Sequence, residues 1–136
     1  MSSQPDHWTG KDVSDQLEEA IYTLRRLPRH TVQGYRTIWP AIVYTTWELL
    51  AQEKLPMRLG PPPAAAIDRM EETFRWIVWL EVEERQMVWM RAANYPWRAV
   101  CTRFGMSRTT AWQHWTMAML KIAHRLNQEK RGIRNH

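Results

Sequence analysis

Proline placement constrains this chain more than any other feature. Pro28, Pro40, the run Pro61-Pro62-Pro63 and Pro96 each bar a helix from running through them. The segments between them carry apolar residues at helical spacing. From Ser14 to Leu27 the apolar positions are Leu17, Ile21, Leu24 and Leu27, one face of an amphipathic helix that Pro28 stops. Residues 29–38 read as a polar connector. Pro40 suits the first turn of a second helix reaching about Glu53, with Ile42, Val43, Thr46, Trp47 and Leu50 as its apolar side. Residues 54–63 cannot be helical, and Pro63 can open another helix, from Ala64 to about Trp79. Ile67, Met70, Phe74 and Ile77 form its apolar stripe. Trp76 and Trp79 lie off that stripe, which predicts burial on two sides.

The stretch from Leu80 to Leu126 carries the most information. Glu83 to Ala93 reads as a helix with Met87 and Met90 inward, closed by a turn at Asn94-Tyr95. Pro96 opens a short helix, Trp97 to Phe104. Gly105-Met106 is a tight turn, and Ser107 is a good N-cap for a helix from Arg108 to about Asn127. A short helix, a turn containing Gly and a second helix opened by Ser form the helix-turn-helix pattern. Gly105 fits because the first helix must end at positive φ, which costs a residue with a Cβ about 1–2 kcal/mol. With no strand-like alternation anywhere, the expected fold class is all-α. The expected organisation is an N-terminal helical lobe (1–53) for oligomerisation or partner contact and a Pro-rich linker (54–63). A connecting helix plus helix-turn-helix unit (64–127) and a fraying basic tail (128–136) follow.

Charge follows the same division. Residues 1–63 carry seven basic and seven acidic side chains, and residues 64–84 carry two basic and six acidic. Residues 85–136 carry ten basic and one acidic, a net of +9. A block this basic is the footprint of a polyanionic partner, or else a solvated face that keeps the protein soluble. On the last helix, at about 100° per residue, Ala111, Trp115, Ala118 and Ile122 fall in one stripe that should face the core. The opposite face near its start holds Thr109, Gln113 and Thr116, flanked by Arg108 and Trp112. Those side chains suit a DNA major groove, where Arg pairs with guanine, Gln with adenine, and Thr or Trp meets a thymine methyl. Arg108, Thr109, Trp112 and Gln113 are therefore the expected base-contacting residues, and Arg98, Arg103 and Thr110 the expected phosphate contacts. Trp112, Met117 and Leu120 lie outside the core stripe. Met117 and Leu120 are expected to pack on protein. Trp47, Trp76, Trp79, Trp89 and Trp115 read as core.

The run from Leu80 to Arg91, followed by Trp97-Arg98-Ala99-Val100-Cys101-Thr102-Arg103-Phe104-Gly105-Met106-Ser107-Arg108-Thr109-Thr110-Ala111, resembles region 4 of bacterial sigma factors. That resemblance implies a module that recognises the −35 promoter element. It covers about 45 of the 136 residues. Trp112 stands where that family usually has Lys or Arg, and Met117 and Leu120 stand where it usually has charges. The N-terminal half does not resemble the region that melts the −10 element, so the resemblance implies a module rather than a complete sigma factor. Across its length the chain also resembles an uncharacterised family from alphaproteobacteria and their phages. Arg26-Leu27-Pro28, Val32-Gln33-Gly34-Tyr35, Trp39-Pro40 and Ala66-Ile67-Asp68-Arg69-Met70 carry that likeness.

Other chemistries lack a sequence basis. His7, His30, His114, His124 and His136 show no metal-ligand spacing, and Cys101 is the only cysteine, so neither a metal site, a disulfide nor a cofactor is expected. Glu71-Glu72 and Glu83-Glu84 are neighbours on helices, whose side chains point apart, so they do not read as an acid–base pair. No phosphate-binding Gly loop occurs, and no enzyme is expected. The longest apolar run, Trp76 to Leu80, has five residues, too few to cross a bilayer, and the N-terminus has no secretory pattern. The expectation is a cytoplasmic, sequence-specific binder of double-stranded DNA, a transcription regulator of a phage or mobile element. RNA polymerase and a second copy of the chain are the other expected partners. The rival readings are a DNA-packaging protein of the small-terminase type and an adaptor that docks on RNA polymerase.

Overall fold

A computed structural model describes residues 5–27, 34, 40–43 and 61–134. The helices are α1 (Gly10–Arg25), α2 (Ala64–Ile77), α3 (Val82–Ala92), α4 (Trp97–Phe104) and α5 (Arg108–Arg134), with no strand among the described residues. The fold is all-α. Residues 41–43 are helical as well, behind a Val43 N–H that donates to the Pro40 carbonyl at 3.0 Å. The rest of the helix expected from Pro40 to Glu53, with Trp47, lies outside the described residues, as does most of the 54–63 linker.

α1 begins at Gly10, not Ser14. The reason is a reciprocal cap: the Asp12 N–H donates to Thr9 Oγ1 at 3.2 Å, and the Thr9 N–H donates to Asp12 Oδ2 at 3.0 Å. Both Thr9 groups stabilise the Asp12 carboxylate and hold its pKa below the ordinary value. Leu17, Ile21, Leu24 and Leu27 are all buried, as their spacing predicts. They join one core with Met70, Phe74, Trp76 and Ile77 of α2, Val88 and Trp89 of α3, and Ala118, Met119 and Ile122 of α5. α1 therefore shares its core with the C-terminal helices.

Trp8 also enters this core, at 5 % exposure and edge-on to Trp76 with ring centroids 5.1 Å apart. Its backbone is held by Asn127: the Trp8 N–H donates to Asn127 Oδ1 at 2.8 Å and Asn127 Nδ2 donates to the Trp8 carbonyl at 3.0 Å. Lys130 Nζ donates to the Pro5 carbonyl. These bonds explain why α5 runs on to Arg134 where fraying from Gln128 was expected. The last turns have a tertiary partner in residues 5–8, a contact that local propensity cannot report.

Candidate nucleic-acid interface

α3, α4 and α5 meet around a second, smaller core of Met87, Val100 and Ala111, one residue from each helix. Trp115 is half-buried between the two cores. The two connections repeat one device. α3 ends with Asn94 at φ 72°, and the Tyr95 N–H closes onto the Met90 carbonyl at 3.0 Å. α4 ends with Gly105 at φ 63° and ψ 38°, and the Met106 N–H closes onto the Cys101 carbonyl at 3.1 Å. In both turns a residue in the left-handed region lets the chain reverse while the last carbonyls stay bonded. Pro96 then caps α4. Ser107 opens α5, its Oγ accepting from the Thr110 N–H at 3.2 Å. The bounds of α4 and the start of α5 agree with the sequence analysis.

The start of α5 is free on one side. Arg108, Thr109, Trp112 and Gln113 are all exposed, Trp112 at 51 %. Ala111, Ala118 and Ile122 are fully buried on the opposite side. Thr116 differs from its expected role: its Oγ1 is shielded and has no hydrogen-bond partner, so the hydroxyl is not offered to the surface. The expected phosphate contacts do not converge. Thr110 is exposed, but its Oγ1 is bonded to Ser107 Oγ at 3.0 Å, which ties it to the cap. Arg103 is exposed in the last turn of α4 and lines an apolar cavity of about 740 Å³ with Ile42, Val82 and Met90. Arg98 instead lines a separate cleft of about 700 Å³, together with Arg91, Pro96, Trp97, Cys101 and Arg108. No carboxylate is among the lining residues of that cleft.

Sequence reasoning gave no role to Arg91 or Trp97. The Arg91 guanidinium lies over the Trp97 ring, 4.5 Å from its centroid, and Nη1 donates to the Tyr95 carbonyl at 2.6 Å. Trp97 in turn stands edge-on to Trp115 at 6.0 Å. This stack crosses the Asn94 turn, so no helical period announces it.

Much of the basic block is engaged within the fold. Lys121 pairs with Glu84 at 2.8 Å, Arg125 lies 4.5 Å over the Trp79 ring, and Arg85 donates to the Leu80 carbonyl at 2.8 Å. Arg98, Arg103, Arg108 and Arg131 are exposed and have no ion-pair partner among the described residues. Three of these four arginines lie on α4 or in the first turn of α5.

The profile of one family, Domain of unknown function (DUF6362), matches residues 25–122. The chain belongs to the DUF6362 family. The matched span contains α2, α3, α4 and the first half of α5, hence every residue of the exposed α5 face and of the arginine-lined cleft. Trp8, Asn127 and Lys130 lie outside it. No curated protein and no solved structure matches the chain. Among the described residues no group of three or more His, Cys, Asp or Glu side chains could hold a metal ion, and no helix is long and apolar enough to cross a membrane.

Proposed function

We propose that this protein is a sequence-specific DNA-binding protein in which α4, the Gly105 turn and α5 act as a helix-turn-helix, with the start of α5 in the major groove. One observation carries the reading. The exposed face of Thr109, Trp112 and Gln113 adjoins a carboxylate-free cleft lined by arginines, so base-reading groups and phosphate-binding groups share one surface. Gln113 can bond bidentately to adenine, and Thr109 and Trp112 can contact a thymine methyl. Regulation of transcription, in a phage or mobile element, is the setting in which such a reader acts.

Selection of bound sequences from a random duplex pool tests this reading. An enriched consensus is expected, and affinity should fall steeply with salt. If three to five phosphates are neutralised, log K falls against log salt with a slope of about −2.7 to −4.5. Absence of binding to any duplex at low salt overturns the reading. Binding without an enriched consensus removes the sequence-specific part and favours a packaging role. Met117 and Leu120 are exposed at 63 % and 49 % further along α5, which supports self-association beside the DNA surface. Molar mass in solution separates the settings: a dimer suits a regulator, and a ring of many subunits suits packaging.

A further inference from the structure

Arg108 has two possible duties, and its neighbours decide between them. At about 100° per residue it lies about 40° around α5 from Trp112 and about 140° from Gln113, so it flanks the reading face on its cleft side. It lines the cleft with Arg98, which stands in the first turn of α4, whereas Thr109, Trp112 and Gln113 do not line it. We infer that this cleft is a phosphate site, in which Arg91, Arg98 and Arg108 together hold one phosphate group. Arg108 is then a phosphate ligand, and base reading falls to Thr109, Trp112 and Gln113. The inference rests on the DNA-binding reading and deepens it by naming the group held beside the reading helix.

The chemistry of the cleft fits an oxyanion. Three arginines line it; the exposed Arg98 and Arg108 can each present paired N–H donors to two oxygens, while Arg91, with Nη1 bonded to the Tyr95 carbonyl, adds its positive charge. Arg91 is already held in place, by the Trp97 ring beneath it and the Tyr95 carbonyl at 2.6 Å, so little freedom is lost when an anion arrives. Its Nε is buried without a hydrogen-bond partner. That Nε is shielded in this arrangement, as are the unpaired Trp76 and Trp89 Nε1 atoms, so it is the charge and geometry of the cleft lining that favour an anion. Arg98 and Arg108 are exposed and carry no ion pair among the described residues. A duplex backbone and a free phosphate present the same oxygens to these groups.

Two measurements on the full chain test the site. In the first, Arg98→Ala, Arg108→Ala and Gln113→Ala are compared on the enriched duplex and on random duplex. All three side chains are exposed, so the fold should survive each change. Arg98→Ala and Arg108→Ala are expected to weaken both duplexes by the same factor and to reduce the salt slope by about 0.9 each. Gln113→Ala is expected to weaken the enriched duplex alone. In the second, inorganic phosphate is titrated against the arginine Nε–H signals in NMR spectra, with chloride at equal ionic strength as control. Movement of the Arg91, Arg98 and Arg108 signals is expected with phosphate and not with chloride. If Arg108→Ala costs affinity on the enriched duplex only, and phosphate leaves the three signals unmoved, the cleft proposal is overturned while the DNA reading stands. If no duplex binds but phosphate moves all three signals, the cleft is a site for free phosphate and the DNA reading fails. If neither binds, both are overturned.

Discussion

Gly105 turns the chain from α4 into α5, so substitutions there test the geometry on which the site depends. Its φ of 63° and ψ of 38° lie in the left-handed region. A Cβ added at this position meets no atom within 4 Å. Collision of the added Cβ therefore contributes nothing, and the folded-state cost for Ala is the backbone term. For Ala that term is about 1–2 kcal/mol. Ala also restricts the unfolded chain relative to Gly, which returns about 0.4–1 kcal/mol. The net loss for Gly105→Ala is then about 1 kcal/mol. Asn tolerates the left-handed region better, as Asn94 at φ 72° illustrates in the preceding turn, so Gly105→Asn should cost less. Gly105→Val adds β-branching and should cost most, about 2–3 kcal/mol. For a chain of this length each kcal/mol lowers Tm by about 3–5 °C. Thermal melting followed by circular dichroism, with urea denaturation followed by tryptophan fluorescence, gives the order. The expected stability order is Gly, Asn, Ala, Val from highest to lowest. A Val variant that melts with wild type would refute the left-handed turn. An Ala variant as damaging as Val would refute the open space around it.

Trp8→Ala should cost about 3–5 kcal/mol in urea denaturation, because the ring is buried against Trp76 and its loss leaves a cavity; a loss under about 1 kcal/mol would place residues 5–8 outside the cooperative core. Burial raises the pKa of Glu84, but hydrogen bonds from Lys121 and from the Glu81 N–H outweigh it and hold the carboxyl below its ordinary 4.5. A carboxyl depressed in this way contributes stability that is present above the unfolded value and lost as pH falls through the folded one. The stability advantage of wild type over Glu84→Gln should therefore be constant from about pH 7 to about pH 5 and shrink towards about pH 3. An advantage that does not change with pH would disprove the Lys121–Glu84 linkage between α5 and α3.

Local chemistry made much of this molecule legible. Pro96, Gly105 and Ser107 each impose a backbone state on their own position, so the bounds of α4 and the start of α5 follow from residue type alone. The 3.6-residue period likewise placed Leu17, Ile21, Leu24, Ala118 and Ile122 in the core. The cap of Thr9 and Asp12 was missed, and the helix was expected only from Ser14, although a Thr followed three residues later by an acidic side chain is itself an N-terminal signal. What the tertiary structure decided depends on residues distant in sequence or separated by a turn. Trp8 is buried because α2 supplies Trp76 and α5 supplies Asn127, and α5 reaches Arg134 because residues 5–8 lie against it. The basic block looked uniform as a string of charges. Folding engaged Lys121 with Glu84 and Arg125 with Trp79, and gathered Arg91, Arg98 and Arg108 around one cleft. A helical period reports which face a residue occupies on its own helix. It carries no information about which other helix will stand beside that face, and that proximity is what turns arginines from three helical segments into a single candidate site.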